Sequence, residues 1–65
     1  MRIVLNGKPE TMAEVRTLND LLELRRPRPP FAIEINKRLV RRKEYDDVRL
    51  CEGDRVEIVT LVGGG

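Results

Sequence analysis

The sequence predicts an α+β domain in which a mixed sheet of four to five short strands packs against one main helix. Three observations predict it. Apolar, β-branched runs recur at residues 2–5, 31–36 and 55–62, at lengths suited to strands. A single stretch, opening at Thr17, spaces its leucines on one helical face. Turn signals at Asn6-Gly7 and Glu52-Gly53-Asp54 separate the runs.

Arg2-Ile3-Val4-Leu5 reads as the first strand. Asn6-Gly7 then closes a hairpin, because both residues tolerate positive φ. The returning strand is expected over Pro9 to Val15. Pro9 cannot donate a ladder hydrogen bond, so this strand belongs at a sheet edge. Thr17 is placed to cap a helix, with Asp20 three residues on completing a short capping box. Leu18, Leu21 and Leu22 share its apolar face, with Leu24 at the margin. Pro27 disfavours helical geometry at Arg26, so the helix should stop near Leu24 or Arg25. Arg25-Arg26-Pro27-Arg28-Pro29-Pro30 is a stiff crossover to the next strand. Its prolines also have the composition of a polyproline ligand, although the connecting role is sufficient.

Phe31-Ala32-Ile33-Glu34-Ile35 alternates, with Phe31, Ile33 and Ile35 on one face. Asn36-Lys37 turns the chain into the short pair Leu39-Val40. Glu44-Tyr45-Asp46-Asp47 suggests one loose helical turn, and Val48-Arg49-Leu50 one more short strand. Gly53 can take the left-handed region in the next turn, and the last strand begins at Arg55. The order β-β-α-β-β-β is the β-grasp arrangement. Right-handed crossover makes the first and last strands parallel neighbours at the sheet centre. Their apolar character suits that position.

At 65 residues, the chain supports one small domain with little room for an enzyme pocket beside its core. Hydrophobic residues make up 40% and charged residues 37%, which fits a globular rather than a disordered chain. No apolar run approaches the roughly 18 residues of a membrane span, and no secretory h-region follows Met1. One cysteine, Cys51, and no histidine exclude a thiolate or imidazole metal site and a Ser/His or Cys/His catalytic pair within one chain. A lone cysteine fits a reducing cytoplasm. The net charge of +2 is unevenly placed. Residues 25–43 hold eight Lys/Arg against Glu34, whereas residues 44–57 hold six acids against Arg49 and Arg55. One flank should be basic and another acidic, which suits orientation on a protein partner.

The last strand runs into Gly63-Gly64-Gly65. Glycines offer no side chain and wide backbone freedom. The expected organisation is a β-grasp domain over 1–62 and a flexible glycine tail over 63–65. The tail's chemical group is an α-carboxylate, ionised at neutral pH. Such an arm can thread into another protein's active site. A triglycine alone reads first as a frayed terminus or a cloning remnant, and the rest of the chain changes that.

The wider pattern resembles a known family. Ile3 through Asn6-Gly7, Thr17-Leu18 with Leu21-Leu22, Ile33-Glu34-Ile35-Asn36, Val40, Tyr45, Glu52-Gly53-Asp54, and Val56-Glu57-Ile58-Val59 leading to the terminal glycines fall in the order of the ThiS sulfur carriers of thiamine biosynthesis, which have a ubiquitin-like β-grasp fold. The diglycine after an apolar strand is the specific part of the match. The family often ends in two glycines, and Gly64-Gly65 is taken as the corresponding pair. The arginine-proline stretch from Arg25 to Pro30 matches no motif of the family.

The resemblance implies that the Gly65 carboxylate is adenylylated by an ATP-dependent, E1-like activating enzyme of the ThiF type. A sulfur donor such as a cysteine desulfurase then displaces AMP to leave a thiocarboxylate. The sulfur passes to a thiazole synthase of the ThiG type. Gly63 and Gly64 would serve threading of the tail. It also implies that the carrier is not an enzyme, binds no cofactor or metal itself, and works in the cytoplasm without nucleic acid or membrane. Docking must then be read by the folded body. Glu57 marks one face of the last strand as outer, which places Val4, Ala32, Val59 and Leu61 together as an apolar docking patch. Scattered surface hydrophobes give the same pattern.

Two alternatives share the terminal chemistry, namely the small subunit of molybdopterin synthase and a ubiquitin-like modifier. A third, of another class, is a nucleic-acid-binding module built on the basic stretch from Arg25 to Lys43. Phe31 and Tyr45 leave it little for base stacking, and the acidic stretch from Glu44 to Glu57 would repel phosphate.

Overall fold

The computed structural model describes residues 1–61. Strand β1 (Arg2–Leu5) turns through Asn6 and Gly7 into β2 (Lys8–Thr11). Both turn residues have positive φ, 49° and 82°. Helix α1 (Leu18–Arg25) follows, then β3 (Phe31–Ile35), β4 (Arg38–Val40), a 3-10 turn at Arg42–Glu44, and β5 (Arg55–Thr60). Among the described residues, five strands form one sheet in the order β2-β1-β5-β3-β4. β5 is parallel to β1 and antiparallel to β3. The expected β-grasp topology is therefore the observed one, with Pro9 on an edge strand.

The core forms where the helix meets the inner sheet face. Leu18 and Leu21 from α1 close on Ile3, Leu5, Ile33 and Val56 from the three central strands. Each buried side chain of this size contributes roughly 1.5–3 kcal/mol by leaving water. Alternation along the strands follows the expected faces: Val56 is buried and Ile58 half-buried, while Glu57 and Val59 are exposed. Thr60 lies in the inner series yet is exposed as well. Leu24, at the helix margin, is 61% exposed.

Two expected strands differ. The second strand ends at Thr11 rather than Val15. Ala13 and Glu14 form a bend, and Met12 and Val15 both turn into the core. The two side chains are three positions apart, a spacing that an extended strand would send to opposite faces. Val48-Arg49-Leu50 makes only an isolated bridge between Arg49 and Thr17. Its backbone bonds go to the segment entering the helix: Leu18 N–H donates to Val48 O at 2.9 Å, and Leu50 N–H to Arg16 O at 2.9 Å. This segment closes the core with Leu50 instead of joining the sheet. The boundary expected between residues 62 and 63 lies outside the described residues.

Both helix ends are defined locally. The Thr17 side chain accepts from Asp20 N–H at 3.1 Å, and the Asp20 carboxylate accepts from Thr17 N–H at 3.1 Å and Arg16 N–H at 3.0 Å. At the other end Arg26 is left-handed, φ 46°, and its N–H reaches Leu22 O at 2.7 Å. Pro27 favours extended geometry at the residue before it, but here the C-terminal cap bond holds Arg26 left-handed.

The backbone N–H groups of Arg16 and Thr17 hold the Asp20 carboxyl below its ordinary value of 3.8. Folding therefore favours its ionised form. The resulting stability is fully present above pH 3.8 and is lost as pH falls through the lower folded value. Asp20→Asn should lower the melting temperature at pH 6–7 and leave a smaller further loss on acidification to pH 3 than the parent shows. Thr17→Ala should cost about 1 kcal/mol, or roughly 4–8 °C in melting temperature. Thermal unfolding at both pH values checks each outcome.

Candidate functional site

The site expected from the sequence is the end of β5 and the face around it. β5 is held on both sides. Phe31 to Ile35 pair with Thr60 back to Val56 along its whole upper length. On the other side β1 reaches only as far as the Leu5–Val56 pair. Beyond that point Asn6 substitutes for a strand: Ile58 N–H donates to Asn6 Oδ1 at 2.8 Å, and Asn6 N–H donates to Val56 O at 2.9 Å. Asn36 fixes the strand's start, accepting from Arg55 N–H at 3.0 Å and donating through its side-chain amide to Asp54 at 3.0 Å. Turn asparagines thus satisfy β5 backbone groups that would otherwise lack partners.

At the far end Leu61 N–H donates to Pro30 O at 2.8 Å. This bond extends the β3–β5 pairing one residue past the strand. It assigns the arginine-proline connection a second structural task, one that composition alone did not reveal. Gly63, Gly64 and Gly65, the expected tail and carboxylate, lie outside the described residues.

The expected docking patch divides in two. Ala32 and Val59 are direct cross-strand partners, and Leu61 continues the same side of β5. Val59 is 46% exposed and Leu61 50%. Val4, half-buried, stands opposite Arg55, four residues back along β5. At about 3.3 Å per strand residue, that is roughly 13 Å from Val59. Leu39, which the sequence reading did not include, is 66% exposed and pairs with Glu34 on the same face. The signal was available in the two-residue turn at Asn36-Lys37: it puts Arg38 opposite Ile35 and therefore Leu39 opposite outward-facing Glu34. A cleft lined by Pro30, Phe31, Ala32, Leu39, Arg42 and Tyr45 opens at the adjoining edge. There Phe31 and Tyr45 stack with ring centroids 6.4 Å apart.

Charge follows the same geography. Arg38, Arg41, Arg42 and Lys43 are exposed on β4 and the 3-10 turn beyond it. Glu34 and Glu57 face each other across β3 and β5 at the centre of the outer face. Cys51 is an exposed free thiol whose N–H donates to Asp54 Oδ2 at 2.8 Å. It precedes β5, and the strand carries the chain roughly 17 Å farther away before its last residue.

The chain matches known proteins across this whole architecture. The model of the ThiS family matches residues 3–65. The sulfur carrier protein ThiS of Bacillus subtilis is 38% identical over 63 residues, covering 94% of this chain and 96% of that protein. A thiazole synthase of Magnetococcus marinus is 41% identical over 66 residues, and one of Paramagnetospirillum magneticum is 35% identical over 66. The chain spans only 20% of the length of each synthase. Among solved structures, the thiamine biosynthesis protein ThiS from Geobacter metallireducens superposes with a TM-score of 0.85 at 30% identity, with both chains fully covered. The fold is accordingly the ubiquitin-like β-grasp, and with a family match that takes in nearly every residue, the chain belongs to the ThiS family.

Proposed function

We propose that this chain is a sulfur carrier for thiamine thiazole synthesis, working in the cytoplasm and catalysing no step itself. The observation that carries the reading is the position of β5. It is the central strand, bonded on both sides, and it holds the chain in place up to Leu61, two residues before the first glycine of the terminal three in the sequence. A rigid body then presents a thin arm to another protein's active site.

In this reading the Gly65 carboxylate attacks the α-phosphate of ATP bound to a ThiF-type adenylyltransferase. Pyrophosphate leaves and an acyl adenylate remains. A sulfur donor, such as a cysteine desulfurase, supplies the sulfur that displaces AMP, giving the terminal thiocarboxylate. A ThiG-type thiazole synthase receives that sulfur. The two thiazole synthases that match this chain support this last partner, because each contains a segment like it within a much longer chain. Activation is needed because a carboxylate is a poor acyl donor. ATP belongs to the activating enzyme, and the carrier binds no cofactor of its own. The patch around Ala32, Val59 and Leu61 is the docking surface, with Val4 at its margin.

Attack at phosphorus needs reacting atoms about 3–3.5 Å apart. A side chain at Gly64 would obstruct a channel shaped for bare backbone and remove conformations open only to glycine. Gly64→Val, or deletion of Gly65, should leave the melting temperature within about 2 °C of the parent, since the described core is built from residues between Ile3 and Val56. Both should abolish ATP-dependent pyrophosphate release with the cognate activating enzyme. Full activity in Gly64→Val would mean that the glycines are no more than a tail. Intact mass of the protein purified from its host should show sulfur in place of one oxygen at Gly65.

Leu61→Asp tests the docking face. Leu61 is half exposed, so the variant should stay folded while its affinity for the activating enzyme falls about tenfold, or roughly 1.4 kcal/mol. Unchanged affinity by titration would remove Leu61 from the interface.

A further inference from the structure

The arginine-proline connection does one thing that joining the helix to β3 does not require. Its last residue, Pro30, accepts the N–H of Leu61 at 2.8 Å. Leu61 is the last described residue and lies one position past β5. On the β1 side, pairing gives out earlier, where Ile58 N–H donates to Asn6 Oδ1 at 2.8 Å. Beyond that point β5 is carried by β3 and then, among the described residues, by the Pro30 carbonyl.

Proline suits this position because it holds an acceptor still and ends a ladder. The pairing of Phe31 with Thr60 puts Pro30 directly opposite Leu61. A hydrogen-bonded antiparallel pair normally exchanges two bonds. Pro30 has no N–H, so the second bond cannot form and the pairing stops after one. Its ring fixes φ, as does the ring of Pro29, which limits the motion of the carbonyl. Both ends of the connection are also tied down. Arg26 N–H donates to Leu22 O at 2.7 Å at the helix end, and Phe31 opens β3.

We infer that Pro30 is a positioning residue for adenylylation, its carbonyl fixing the point from which residues 62–65 are presented to the activating enzyme. The inference rests on the sulfur-carrier reading. In that step an oxygen of the Gly65 carboxylate bonds to the α-phosphorus of ATP, and pyrophosphate leaves. Four residues follow Leu61 in the sequence, and they span at most about 13–14 Å. A starting point that shifts by one residue moves by about 3.5 Å, as much as the whole approach distance of the reacting atoms. Every further backbone residue left unfixed must be ordered before reaction, at a cost in entropy.

The test removes the donor and keeps every side chain. Native ligation at Cys51 joins residues 1–50 to a synthetic segment, 51–65, in which an ester replaces the amide between Thr60 and Leu61. An all-amide chain assembled in the same way is the reference. The ester chain should melt no more than about 8 °C lower, the scale of one net hydrogen bond. Pyrophosphate release with the cognate activating enzyme, at a temperature where both chains are folded, should show kcat about three- to tenfold lower. The dissociation constant by titration should stay within about twofold, because the bond acts on the reacting end and not on docking. Pro29→Gly combined with Pro30→Gly keeps the acceptor but loosens it. That variant should speed solvent exchange of the Leu61 amide and lower kcat in the same way. A bond that only stabilised the domain would lower the melting temperature without splitting kcat from affinity. A kcat within about threefold of the reference in the ester chain, or a loss confined to affinity, would overturn this inference alone. A reference chain that is not adenylylated would overturn it together with the carrier reading.

Discussion

The structure depends on β5 lying between β1 and β3. β1 and β3 do not pair with each other; β5 joins them. Its Val56 is fully buried, under the helix residues that also cover Ile3 and Ile33. Parallel pairing with β1 requires a long connection between the two strands, and here that connection is nearly the whole chain. The contact that completes the sheet is therefore between the first and last elements. Such a contact carries the loop-closure cost of a long chain and rewards it only once the core has closed.

A domain of 65 residues has little stability in reserve. Local devices accordingly do much of the specifying. Thr17 and Asp20 satisfy each other's backbone donors at the helix start. Asn6 and Asn36 both form turns and bond to β5 or its approach, so the same residues reverse the chain and set the central strand's position. The side-chain amide extends pairing where the neighbouring strand has ended. This is how a strand can outrun its parallel partner without leaving unsatisfied backbone in the interior.

The pairing of β5 fixes the chain up to its last described residue. Backbone pairing holds β5 through Thr60, and the bond from Leu61 to Pro30 adds one more residue. The side of the strand that carries Arg55, Glu57 and Val59 stays uncovered by the helix, which packs on the opposite face. One sheet thus has two unlike surfaces: the inner one packs the core, and the outer one leaves Leu39, Val59 and Leu61 exposed. Cys51 sits at the strand's other end, away from the terminus that a carrier would present.

Much of this was legible from residue order. The Asn-Gly hairpin, the Thr17 cap, the alternation from Phe31 to Ile35 and the apolar final run are local patterns, and period and turn chemistry suffice to read them. The family likeness was legible for the same reason, since those patterns occur in a fixed order. Residues 12–15 and 48–50 were not, because their composition suits a strand while their backbone partners lie elsewhere in the chain. Met12 and Val15 are decided by a core that must be filled, and Val48 to Leu50 by donors at the helix entrance. The outer sheet face, the proposed docking surface, shows the same limit. Which residues point outward follows from alternation, but which of them are neighbours depends on register between strands. Register separates Val4 from Val59, adds Leu39, and sets Glu34 against Glu57. A sequence states the period of each strand; only the tertiary structure aligns one strand's period with another's, because that alignment is set by turn geometry and by a shared core.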